Sequence, residues 1–332
     1  MQNVRAYICK KWRYRRSQSN LKIGFICGFH GKTGGPIAIS NIANGLSKEF
    51  DVSFEIYPTS FYNRLLLSTV KFERNIVANK DIYFFDLSAS VARVRTIKSA
   101  NKLCILTIHG LRNTAHSLSS KHIDEMLSLA DKVHFVGQVQ QNSYHLNEEH
   151  YFIIPNSANS VNKNKSTNNI GVVGNLDIPQ KNAALSVKVG LNSHCEKIHL
   201  WSTGKEFSIN PRVIHHEWEN NRKIIFDSFD VLVFLSQHET FGLVVAEALS
   251  AGIPCVLSAI EGFEQFNDCP GVVLIKDNEM DDAHHHINRL LIEKNNLQST
   301  IKAFYQQHFS PEIIDSLWCA KILELNRLKH LL

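Results

Sequence analysis

Two glutamates eight residues apart, Glu239 and Glu247, frame the stretch of this chain richest in chemistry, FDVLVFLSQHETFGLVVAEALSAGIPCVLS over 229–258. The run FDVLVFLS reads as a buried strand ending at Ser236. LVVAEALS reads as a helix that stops at Gly252, with Pro254 two residues later. Phe241 and Gly242 lead into that helix, so its free N–H groups and positive dipole end face the strand's carboxyl edge. Such a helix start binds phosphate without any side-chain charge, and Gly242 lets the phosphate approach the backbone. Glu247, about one turn inside the helix, would repel a phosphate and suits neutral hydroxyls instead, such as those of a ribose. Glu239, in the loop, could serve a sugar on the other side. One phosphate site flanked by two hydroxyl-binding carboxylates describes a site for a nucleotide-sugar. An unpaired charge amid LVVAEALS would be costly, which argues for a functional partner of Glu247.

The elements that must position these groups alternate along the chain. LKIGFIC, VSFEIY, DIYFFDL, KLCILTI, KVHFVG and YFIIPN read as short buried strands. IAISNIANGLSKEF, SASVARVRTIKSANK and IDEMLSLADK have helical spacing between them. The polar segment 157–169, SANSVNKNKSTNN, reads as a linker. Alternation then resumes with IGVVG, NAALSVKVGL, KIHLWS, the central stretch and GVVLI, and closes on PEIIDSLWCAKILELNRLKHLL. Two successive strand–helix units predict two doubly wound parallel sheets, with ligands at the carboxyl ends of the strands. The expected domains are a basic arm over 1–20, a first α/β domain over 21–160, a second over 170–310, and a terminal helix over 311–332.

Charge and cysteine usage narrow the class. Residues 1–48 hold nine of the 36 lysines and arginines and none of the 31 acidic residues, so the rest of the chain is net acidic. Between residues 5 and 16 the basic side chains alternate with Tyr7, Trp12 and Tyr14, which suits an anionic membrane surface; without a reading module, nucleic acid is not an expected partner. No apolar run is long enough to span a bilayer and the start lacks a secretory apolar region, so the expectation is a cytoplasmic chain, peripheral to the inner membrane face at most. The seven cysteines are scattered with no CxxC pair, fitting reduced thiols rather than a zinc site. The run His284–His286 reads as a helix surface and a poor metal cage. No Asp-x-Asp signature lies at a strand end, and neither a metal nor a cofactor is expected.

ETFGLVVAE resembles the E-x₇-E motif of the retaining glycosyltransferases of family 4, and EALSAGIPCVLS continues that pattern. TIHGLR (107–112), ADKVHFVG (130–137), IIPNS (153–157) and VGNLDIPQKN (173–182) follow the family's order. The resemblance implies the GT-B fold and a nucleotide-diphosphate sugar as donor. It places Glu239 on the donor sugar and Glu247 on the ribose, with backbone amides around Phe241, Gly242 and Leu243 on sugar hydroxyls and diphosphate. It points to Lys181 for the diphosphate and to His109 as the histidine facing donor sugar and acceptor. It implies a glycan or lipid-linked acceptor, and a nucleotide base lying against a loop around IHHEW, 214–218. One departure stands out: the family commonly has arginine where this chain has Asn175, and Lys32 or Arg112 is a candidate replacement for that cation.

Other readings compete. GFHGKTGGP, 28–36, resembles a phosphate loop, but the Walker pattern needs glycine where Ile26 stands. In the resembling family this loop keeps a glycine pair, here Gly34 and Gly35, near the diphosphate or acceptor. A glycoside hydrolase using both glutamates is opposed by the anion-binding helix start and the two-domain plan. A nucleotide-sugar-binding scaffold without turnover, prompted by Asn175, and an epimerase of the same fold remain open.

Overall fold

The computed structural model describes residues 20–28, 34–55, 61–76, 78–112, 118–202 and 210–329. The arm over 5–16 and Lys32 lie outside them. Most of the strands are apolar, β-rich runs of four to six residues buried on both faces, as parallel sheets require.

The first sheet has seven strands in the order β3-β2-β1-β4-β5-β6-β7. In chain order these are β1 (Lys22–Ile26), β2 (Asp51–Glu55), β3 (Lys71–Glu73), β4 (Ile82–Phe85), β5 (Leu103–Ile108), β6 (Lys132–Phe135) and β7 (Tyr151–Ile153). The second has six, in the order β10-β9-β8-β11-β12-β13. They are β8 (Ile170–Gly174), β9 (Ile198–Ser202), β10 (Val213–Glu217), β11 (Val231–Phe234), β12 (Cys255–Ser258) and β13 (Val272–Ile275). Every described pairing is parallel. Contacts divide the chain into two compact units. One holds the described residues up to Leu106 with Glu125–Asp131 and the chain from Cys319; the other holds Thr107–Asp124 and Lys132–Trp318.

The period of two decides which side chains enter which core of the second sheet. Leu232, Phe234, Cys255 and Leu257 face one apolar cluster, shared with Val245 and Leu249. Val231, Val233 and Val256 face the other, shared with Val187 and Ile287. The long helix Ala283–His308 serves both, through Leu290 and Leu291 at one end and Ile301 and Tyr305 at the other. His284–His286 occupy its first turn. The six described cysteines are all buried. No helix among the described residues is long and apolar enough to cross a membrane.

The 157–169 segment has neither helix nor strand, yet it is fastened along its length. The Val161 amide donates to Ser250 Oγ, Asn164 to Asp227 Oδ1 and Thr167 to Asp230 Oδ2. Lys163 is buried against Asp230 at 3.0 Å, and Lys294 pairs with the same carboxylate. Its many asparagines and lysines therefore mark a strap with backbone and side-chain anchors. A correction concerns 214–218: the expected loop is mostly edge strand β10 (Val213–Glu217), with Trp218 just beyond its end.

Candidate donor site

β11 delivers the chain into the loop 235–242, and α7 (Leu243–Ser250) follows. Gly242 caps that helix with φ +83°, a left-handed conformation that favours glycine, and a Cβ there would meet the Phe263 ring at 2.7 Å. Gly252, at φ +75°, ends the same helix as its spacing predicted. Val245 N–H returns to Gly242 C=O at 2.9 Å, leaving the earlier first-turn N–H groups at the helix start. Phe241 contributes only backbone, since its ring is buried against Phe266 and Phe309 and its carbonyl accepts from Gln265 Nε2. Leu243 is half-buried and packs on the core.

Lys181 reaches the loop because its own turn, Pro179–Lys181, is tied to it. Gln180 C=O accepts from the Gln237 amide at 2.7 Å and from Ser236 Oγ at 2.9 Å. Lys181 Nζ then pairs with Glu239 Oε1 and lies 5.2 Å from the Phe234 ring centroid. The pair is largely shielded, with the lysine side chain 23% and the glutamate 12% exposed. Glu239 lines a cavity of about 640 Å³ within the second unit, together with His238, Asn142, His145 and Glu261.

The backbone of Glu239 is clamped by Gly262, where any Cβ would overlap the Glu239 carbonyl. Gly262→Ala is therefore expected to cost about 1–3 kcal/mol of stability, the range for forcing atoms into a packed site. Donor affinity should fall further, because the Glu239 loop has to move. Urea unfolding and donor titration of the variant check both effects.

His109 sits directly after β5. Gln140 holds this strand end, donating from Nε2 to Ile108 C=O at 2.7 Å and to Gly110 C=O at 3.3 Å, while its Oε1 accepts from the Val136 amide. Thr240 Oγ1 donates to His109 C=O at 2.9 Å, linking the histidine to the Glu239 loop. Both His109 ring nitrogens are buried and have no hydrogen-bond partner among the described residues. Burial pushes its pKa down to about 4, so at neutral pH the ring is uncharged and can exchange hydrogen bonds with hydroxyls. Behind it lies His134, pushed down by burial to about 3, with Nε2 at 2.8 Å from Ile154 C=O and its ring edge-on to Trp318.

Glu247 has a partner that no local sequence pattern announces. Arg222 Nε donates to Glu247 Oε1 at 3.1 Å, so the carboxylate, for which LVVAEALS argued a functional partner, already has one within the protein. Burial raises the Glu247 pKa and the guanidinium opposes that rise. Asn175 is exposed beyond β8, its carbonyl accepting from Ile178 N–H at 3.3 Å. Of the two candidate replacements for the missing cation, Arg112 is already paired with Asp124 and stacked on Tyr144, and Lys32 lies outside the described residues. Gly34 and Gly35 open the helix Gly34–Leu46 of the first unit, with Pro36 following in its first turn.

Residues 158–307 match the family model of the glycosyl transferases group 1. Comparison with curated protein sequences gives no match. Among solved structures, HepE of Anabaena in complex with UDP is 14% identical with a TM-score of 0.74, over 92% of this chain and 100% of that one. The lipopolysaccharide outer core galactosyltransferase WaaB, in its apo form, is 16% identical with a TM-score of 0.68, over 92% and 99%. Sucrose-phosphate synthase from Thermosynechococcus elongatus is 13% identical with a TM-score of 0.69, again over 92% and 99%. Likeness at these identities establishes the fold, and it is the α/β, GT-B type expected from the sequence.

Proposed function

We propose that the chain is a retaining glycosyltransferase that moves a sugar from a nucleotide-diphosphate sugar to a glycan or lipid-linked acceptor. The observation that carries this reading is the shielded Lys181–Glu239 pair beside the cavity, at the start of α7 and inside the segment that matches the group 1 model. As the sugar departs, negative charge grows on the diphosphate; Lys181 and the first-turn amides of α7 supply fixed positive charge against it. A diphosphate would draw Lys181 away from Glu239, freeing that carboxylate for sugar hydroxyls. Glu247 would hold the ribose. His109, neutral and with unpartnered nitrogens, would meet the sugar or the incoming acceptor hydroxyl. These donors stand in for a metal, and the acceptor would attack on the face the diphosphate leaves. HepE solved with UDP makes uridine the first nucleotide to try, and the lipopolysaccharide role in WaaB's name favours a surface glycan as the product.

The exposed Asn175 favours a second reading, a nucleotide-sugar-binding scaffold. Incubation with UDP-, GDP- and ADP-sugars separates the two. The expected outcome is selective binding of one nucleotide with slow, EDTA-insensitive donor hydrolysis, which Glu239→Ala reduces about tenfold or more. Binding without turnover on any donor and acceptor favours the scaffold. No nucleotide binding at all sinks both.

A further inference from the structure

The short helix α6 (Arg222–Asp227) begins on a loop that is built to fix one side chain. Asn221 caps it, accepting from the Lys223 amide at 3.1 Å, while the Asn221 amide donates to Glu219 Oε1 at 2.7 Å. The Arg222 guanidinium lies over the Trp218 ring at 4.7 Å from its centroid, and such stacking fixes the plane of the fork. One nitrogen, Nε, is spent on Glu247. Another, Nη1, is buried and has no acceptor among the described residues. A buried guanidinium N–H without an acceptor is costly, and an arriving oxygen would remove that cost.

We propose that Arg222 is a positioning residue for the nucleoside end of the donor site, aiming Glu247 as a carboxylate and reserving Nη1 for an oxygen of the nucleotide's ribose or base. This rests on the reading of Glu247 as the ribose ligand. The surroundings leave Arg222 as the charged group facing Glu247 among the described residues. α7 carries no other ionisable side chain. The ionisable groups sharing its apolar cluster are Cys255 and Cys269, whose thiols burial pushes up, and Tyr305, whose hydroxyl donates to Ala158 C=O. With Arg222 neutralised, burial alone would govern Glu247 and the carboxyl would take up a proton at higher pH.

The test is UDP binding to the full chain between pH 5 and 9, by calorimetry, for wild type, Arg222→Gln, Arg222→Lys and Glu247→Gln. Glu247→Gln should lack the acid limb that wild type shows. Arg222→Gln should move that limb up by about one to three pH units, the effect of removing a neighbouring opposite charge. Arg222→Lys keeps the charge and loses the fork, so its limb should stay near wild type while affinity falls about tenfold at every pH. An unmoved limb in Arg222→Gln overturns the positioning role, and wild-type affinity in Arg222→Lys overturns the role of Nη1. Carbon-13 NMR of the Glu247 carboxyl in the free protein reads the same midpoint, and an unchanged value there also overturns the positioning role. Failure of the wild type to bind UDP, GDP or ADP instead removes the underlying reading of the site.

Discussion

Lys181→Ala is expected to lower kcat by about 10²–10³-fold, the usual cost of deleting one fixed donor aimed at developing charge. Stability should change little by comparison. The pair is largely shielded, but the cavity that Glu239 lines lets water reach the carboxylate left behind, so the loss should stay at about 1–2 kcal/mol. The donor KM should rise less than kcat falls, because Lys181 exchanges one anion, Glu239, for another, the diphosphate, and the gain is concentrated in the transition state. Lys181→Arg retains the charge on a different fork and should recover part of the rate. Steady-state kinetics with saturating acceptor, alongside thermal melts, check the prediction. Equal losses in kcat and in melting temperature would recast the pair as structural.

Acid should unfold this protein unusually early. His109 and His134 are buried as neutral rings, with pKa values pushed down to about 4 and about 3, against roughly 6.5 in an unfolded chain. The unfolded state therefore binds their protons first. The stability they contribute is complete above about pH 6.5 and is lost as pH falls through the folded values. Each contributes a slope of roughly 1.4 kcal/mol per pH unit in that window, so the two together remove on the order of 5 kcal/mol between pH 6.5 and 4.5. His199, pushed down to about 4 by burial and by its neighbour His216, adds in the same direction. Glu55 and Glu247 act oppositely, since burial raises both carboxyls and the folded state takes up their protons more readily. Urea midpoints measured from pH 7 to 4.5 check the slope, and His134→Asn should remove about a third of the part the three histidines contribute.

Much of this fold is legible because parallel strands buried on both faces leave continuous apolar runs, such as LCILTI and VLVF. The strands that escaped notice are edge strands: β3 is three residues long, and β10 reads VIHHE, polar enough to pass for a loop. Within the site, Glu239 and Gly242 stand out through the strand–loop–helix pattern and the glycine preceding a helix, whereas Lys181 is singled out by the family resemblance alone. Arg222 does not, because its meaning depends on a carboxylate 25 residues away that only the folded sheet brings within 3.1 Å. Gln140 and Gly262 are silent for a similar reason: one clamps a strand end 32 residues back, and the other presses on backbone 23 residues back. Polar composition marks 157–169 as a connection but does not announce that the amides of Asn164 and Thr167 serve Asp227 and Asp230.

The close approach of Gly262 to Glu239 also bears on how this site can diverge. Any side chain at 262 meets backbone, so that position is shut to variation however permissive its neighbours are. Ile260 and Glu261, by contrast, line the cavity wall immediately before it. Mutational drift in this loop can therefore reshape what the cavity accepts while the carboxylate of Glu239 stays fixed. New substrate preferences would arise one and two residues upstream of an immovable glycine.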